Sequence, residues 1–133
     1  MAVWGIGAYY SGSDPSDKSE EYINSGKAFI GWNKSDAPAL HKMFDSIKSG
    51  DIIYIKSFTP RKKQLFVKAV GIITNTEKIN NYLGVGISVK WKNDFVPYKI
   101  NITSDVLRNN VYNNTLYEEF NESIIDELID QIL

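Results

Sequence analysis

Few of the side chains that carry out chemistry in proteins occur in this 133-residue sequence. Cysteine is absent, which removes disulfides, thiolate zinc sites, iron–sulfur ligation and cysteine nucleophiles together. Catalysis by a nucleophile or an acid–base pair needs a base held beside its partner. The single imidazole, His41, falls at the border of a helical apolar stripe formed by Leu40, Met43, Phe44 and Ile47, a structural or surface position. Asp14, Asp17, Glu20 and Glu21 are spaced as capping and loop carboxylates and not as metal ligands. Gly5 and Gly7, like Gly84 and Gly86, form Gly-x-Gly pairs inside strand patterns, where bulges and close packing account for them; neither Gly-x-Gly-x-x-Gly nor a Walker-type loop is present. The expectation is a protein that binds and does not catalyse, with no metal and no cofactor.

What the sequence does supply is aromatic planes and amines. Trp4, Tyr9, Tyr10, Trp32, Tyr54, Phe58 and Trp91 fall at strand ends or beside loops. At least half of these belong in a core, but two or three at one barrel mouth would form a slot that stacks on a planar base, at roughly 1 to 3 kcal/mol per base. Lys56, Arg61, Lys62, Lys63 and Lys68 cluster in one hairpin and can neutralise phosphates beside such a slot. The alternative for the hairpin is a solvated tip.

The elements that must position these groups follow from periodicity and turn chemistry. Residues 2–8 read as a strand, Tyr9–Ser16 as loop, and Asp17 with Glu20 as a capping box opening a short helix to about Asn24. Lys27–Trp32 reads as a strand. Ala37–Lys48 is the clearest helix, capped by Ser35 or Asp36, with Pro38 in its first turn. After Gly50, the runs 51–58 and 64–74 form a hairpin across Thr59–Lys63. Tyr82–Lys92 and Phe95–Ile102 are two further strands joined at Lys92-Asn93-Asp94, with Pro97 making the second an edge; Tyr112–Phe120 is one more. Asn121–Leu133 is an amphipathic helix with Asn121 as its cap and an apolar stripe of Ile124, Ile125, Leu128, Ile129, Ile132 and Leu133. That stripe either covers the barrel or forms a homodimer or partner-docking surface. The fold expected is α+β, a small twisted β-barrel with peripheral helices, in a single domain over residues 1–133.

Composition agrees with a globular chain: 43% hydrophobic, 13% aromatic and 23% charged. The net charge of −1 hides an asymmetry. All 15 Lys and Arg lie in residues 1–108 beside 10 of the 16 acids, whereas residues 109–133 hold six acids and no base. A basic body fits a polyanionic partner. With neither a membrane-length apolar run nor a secretory leader, a cytoplasmic protein without membrane contact is expected.

One ordered set of residues resembles a known family. Gly31-Trp32-Asn33, then Ala37-Pro38-Ala39-Leu40 and Met43-Phe44, then Ile47-Lys48-Ser49-Gly50-Asp51 leading into Ile52–Phe58, is similar to the central signature of the EVE branch of the PUA-like superfamily. Trp4 resembles the family's opening tryptophan, and Val67–Thr74 its returning barrel strand. The resemblance spans roughly residues 2–75, more weakly to about 102. It implies a pseudobarrel that accepts a flipped, often modified nucleobase, with Trp32 and Asn33 as pocket wall and base-edge reader, Ser57 as a polar contact and Trp4 as core or pocket floor. The chain departs from the pattern in a Ser-rich insertion at 11–26 and in Lys56, which stands where the family has histidine. The leading expectation is therefore a non-catalytic module that binds DNA or RNA with modified bases, as in a bacterial or phage defence system. Two alternatives stand beside it: a pocket that sequesters a small nucleotide or signalling ligand, and a protein–protein interaction module.

Overall fold

The central connection is a parallel one. In the computed structural model, which describes residues 1–12, 14–102 and 111–133, β1 (Val3–Gly7) runs parallel to β5 (Ile52–Thr59), with Val3 opposite Ile52 and Gly7 opposite Lys56. Parallel neighbours require a long crossover. Here it contains β2 (Tyr9–Tyr10), β3 (Ser16–Asp17), α1 (Ser19–Ser25), β4 (Lys27–Ile30) and α2 (Pro38–Asp45). β5 turns back into β6 (Gln64–Asn81), which pairs with β7 (Gly84–Trp91), and β7 pairs with β4. On the far side β1 takes β9 (Leu116–Glu118). The sheet order is β4-β7-β6-β5-β1-β9, with β8 (Tyr98–Asn101) on β6. The result is an α+β fold whose mixed, curled sheet forms a half-barrel, completed among the described residues by α1, α2 and α3 (Glu122–Ile132).

Burial on both faces explains why β5 reads as a continuous apolar run. Ile53 and Ile55 enter one core with Trp4, Ile6, Phe29, Phe44 and Ile87; Ile52 and Tyr54 enter a second with Val67, Tyr117, Ile124 and Leu128. The apolar stripe of α3 closes this second core, where Ile124 and Leu128 are buried and Ile125, Ile129 and Ile132 pack beside them. The cap is as expected: Asn121 Oδ1 accepts from Ile124 N at 3.1 Å.

The Gly50-Asp51 step is a structural joint. Gly50 has φ +92°, in the left-handed region that glycine adopts without strain. Asp51 is 6% exposed, and its carboxylate accepts from Ala2 N at 3.0 Å, Trp4 Nε1 at 2.9 Å and Lys48 N at 3.0 Å. Burial alone would raise this carboxyl; the three donors outweigh it and hold it below its ordinary value. Asp51 thereby locks the end of the α2 connection to the start of β1.

Several expected elements are corrected. β2 and β3 pair within the segment expected as loop at 9–16, of which residue 13 lies outside the described residues. α1 has Lys18 at its N-cap with no side-chain cap bond, although Asp17 Oδ1 accepts from Ser19 N. α2 ends at Asp45, well short of Lys48, and neither Ser35 nor Asp36 caps it; Ala37 occupies that position. Its buried face is His41 and Phe44, while Met43 is 39% exposed. β8 does not pair with β7. It returns to the start of β6, Leu65 opposite Ile100, because the far stretch of β6 from Gly71 to Asn81 already holds β7. β9 is confined to three residues.

Candidate functional site

Where β2, β3, the end of β4, β5 and the segment before β9 converge, they enclose a cleft of about 620 Å³. Its aromatic wall comes from Tyr9, Tyr10, Trp32, Phe58 and Tyr112; its polar groups include Asp17, Lys56, Ser57, Lys68, Asn113 and Thr115. Trp32 and Tyr9 are 54% and 64% exposed and form the rim, whereas Lys56 and Tyr112 are 6% and 2% exposed and lie at the inner end.

Each wall residue has a local reason for its place. Tyr10 is pinned by its hydroxyl, which donates to Leu83 O at 2.6 Å and lies 3.0 Å from Tyr22 Oη. Its ring passes over Gly31, where a Cβ would meet Tyr10 Cε2 at 2.6 Å, so a side chain before Trp32 would displace this ring. Trp32 is held through its backbone: its carbonyl lies 2.6 Å from His41 Nε2 on α2. His41 is buried at this contact. Phe58 and Tyr112 meet with ring centroids 5.9 Å apart.

The two cleft lysines owe their convergence to a β-bulge. Ile55 pairs with Ala69 but Lys56 with Val67, which leaves Lys68 unpaired in the ladder. Alternation changes phase across this step, so Val67 enters one core and Ala69 the other. Lys68 Nζ then reaches Asp17 Oδ2 at 2.6 Å. Lys56 Nζ donates to the carbonyls of Tyr112 at 2.8 Å and Asn114 at 2.6 Å. Burial, followed by the neighbouring charge of Lys68, pulls Lys56 down to about 8.

That shift makes stability depend on alkaline pH. The unfolded chain carries an ordinary lysine near 10.5, so between about pH 8 and 10.5 the unfolded state binds more protons and folding gains as pH rises. The buried phenols of Tyr54, Tyr112 and Tyr117 act in the opposite sense. Burial raises all three above 10, so their contribution is present below pH 10 and lost above it. Urea denaturation should show stability rising by about 1 kcal/mol from pH 7 to 9 and falling beyond 10. Lys56→Met should flatten the rise.

Of the residues the sequence suggested, the structure brings Tyr9, Tyr10, Trp32, Ser57, Phe58, Lys56 and Lys68 to this cleft and leaves others outside it. Trp4 is core, fixed by its indole bond to Asp51. Asn33 is exposed and turns into α2, its carbonyl accepting from Asp36 N and Ala37 N at 3.0 Å each. Trp91 lines a separate cleft of about 310 Å³, with its Nε1 donating to Tyr22 O at 3.1 Å. Lys56 is too buried to flank a phosphate chain. Arg61, Lys62 and Lys63 are exposed in the turn that follows the cleft strand β5. Tyr112, Asn113 and Thr115 are cleft residues that the sequence did not reveal: the strand expected from Tyr112 begins only at Leu116, and the segment before it folds against the cleft.

Among the described residues no cluster of three or more His, Asp or Glu side chains could hold a metal ion, and no helix is long and apolar enough to cross a membrane. No protein-family model and no curated protein matches the chain.

Proposed function

We propose that this protein binds nucleic acid without catalysis, by taking one extruded, modified base into the 620 Å³ cleft, as a cytoplasmic PUA-like module similar to the EVE branch and serving in bacterial or phage defence. The observation that carries this reading is the cleft itself: an aromatic wall left open at Trp32 and Tyr9, with amines at its inner end and side. Its volume lies in the range of small-molecule sites. Stacking on such planes contributes roughly 1 to 3 kcal/mol per base, enough together with edge contacts to offset the few kcal/mol that extrusion costs. The exposed Arg61-Lys62-Lys63 turn supplies cations beyond the Phe58 end of the cleft. They add affinity that does not depend on sequence.

The test is a binding titration with modified and unmodified oligonucleotides at several salt concentrations. Affinity should fall with salt at about 0.7 to 0.9 log units per log unit for each phosphate engaged. Changing Arg61, Lys62 and Lys63 together to Glu should weaken low-salt binding about tenfold or more and flatten that slope, with little loss of thermal stability. Trp32→Ala should abolish preference for the modified base and keep most of the salt-dependent binding. A folded Trp32→Ala protein with full discrimination would overturn the pocket assignment. Salt-insensitive binding of a free nucleotide would favour the sequestering pocket instead.

A further inference from the structure

The innermost polar group of the cleft is an ammonium that is two-thirds satisfied. Lys56 Nζ has three N–H bonds and no acceptor capacity. Two are directed at the carbonyls of Tyr112 and Asn114; the nitrogen also lies 5.5 Å from the centroid of the Tyr117 ring, and the third N–H has no oxygen or nitrogen acceptor among the described residues. The nitrogen sits against Gly7, where even a Cβ would stand 3.7 Å away, and Gly7, Tyr112 and Thr115 all line the cleft. The other amine, on Lys68, is already paired with Asp17 at 2.6 Å. Among the described residues, Lys56 is therefore the one cleft cation that has no carboxylate partner and keeps an N–H that no oxygen accepts, and it lies behind the exposed planes of Trp32 and Tyr9.

We propose that Lys56 reads the inserted edge of the base and selects an oxo-edged nucleobase, a 6-oxopurine or a 4-oxopyrimidine, over an amino-edged one. This rests on the cleft being a base pocket. A cation that only donates is complementary to the O6 and N7 of guanine or the O4 of thymine and uracil, which only accept. The N4 amino group of cytosine or the N6 amino group of adenine would bring donor against donor and leave a buried ammonium unpaired, which is the costly outcome in a desolvated site. A phosphate group fits less well than a base oxygen: its several charged oxygens need several charged donors, and Lys68, the other cleft amine, is paired with Asp17.

Fluorescence anisotropy tests this with a short single strand that is abasic except at one position, occupied by guanine or by 2,6-diaminopurine, which carries a 6-amino group in place of the 6-oxo oxygen. The protein should bind the guanine strand about tenfold or more tightly, the scale of one good base-edge contact. Lys56→Met should bind the two strands equally and keep the affinity due to the backbone. Equal binding of both strands by the unaltered protein would overturn the proposal, as would a preference that survives in Lys56→Met. Should that variant fail to fold, the two strands compared on the unaltered protein decide the matter. A preference abolished by millimolar inorganic phosphate would overturn it in favour of an anion site. If no base improves on the wholly abasic strand, the base-pocket reading itself fails, an outcome distinct from the others.

Discussion

Glu119→Leu is expected to destabilise the protein by about 3 to 5 kcal/mol, because each buried donor left without an acceptor costs about 1 to 3 kcal/mol. Glu119 is 3% exposed, and its carboxylate accepts from Tyr54 Oη at 2.7 Å, Tyr112 Oη at 3.0 Å and Asn121 N at 3.2 Å. Tyr117 Oη lies 2.5 Å from Tyr54 Oη, and with the Tyr54 proton directed at Glu119 it is the donor in that pair. Leucine would fill the volume and satisfy none of these groups. Glu119→Gln keeps an acceptor for one phenol and should lose less than half as much. Chemical denaturation measures both, and a Leu variant as stable as the unaltered protein would show that the phenols find other partners. Because Tyr112 also lines the cleft, the Leu variant should lose ligand affinity under conditions where it remains folded. The Gln variant should largely retain it.

The tyrosine–glutamate network shows where sequence reading stops. Tyr54, Tyr112, Tyr117 and Glu119 are scattered over 66 positions, and only the pairing of β9 onto β1, with Gly5 opposite Tyr117, brings them together. Local pattern carried parts of the fold set by local physics: the β-branched strand from Ile52, buried on both faces, and the Asn121 cap. Trp4, Gly50 and Asp51, three of the residues behind the family resemblance, have their place in the Asp51 hydrogen-bond joint. As signatures they report on how the strands join and carry no information about a ligand.

The cleft was legible to the extent that it is built from runs of consecutive residues. Lys56, Ser57 and Phe58 are adjacent at the end of a strand that was correctly read, and Tyr9 and Tyr10 follow directly on the first strand, although the loop expected there is a strand pair. What stayed hidden depends on register. The bulge opposite Ile55 and Lys56 reverses the facing of β6 beyond Val67 and brings Lys68 to Asp17, and no composition signal marks a one-residue slip. The depth of Lys56 was hidden for a related reason. A lysine in a basic hairpin reads as solvated, and only the return of 112–115 beside β1 buries it under two carbonyls.

Removing residues 121–133 should be the most damaging change to the fold. Leu128 is fully buried and Ile124 is 3% exposed, each worth roughly 1.5 to 3 kcal/mol. Ile125, Ile129 and Ile132 add partial burial against Val3, Ile52, Leu65, Val67 and Val70. A loss of about 5 kcal/mol or more is expected, which is most or all of the stability of an ordinary domain. It would also open the second core, exposing aliphatic side chains on a sheet face. The truncated chain should therefore aggregate or bind a hydrophobic dye, and its cooperative thermal transition should shift down by tens of degrees or disappear. Leu128→Ala is the finer measurement. A cavity at one fully buried leucine should cost about 3 kcal/mol, whereas Leu133→Ala, at a residue 94% exposed, should cost close to nothing. Were the truncated protein soluble, equally stable and changed only from dimer to monomer, the stripe of α3 would be an interface between copies. With Ile124 and Leu128 already covered within one chain, the expected result is a lost core.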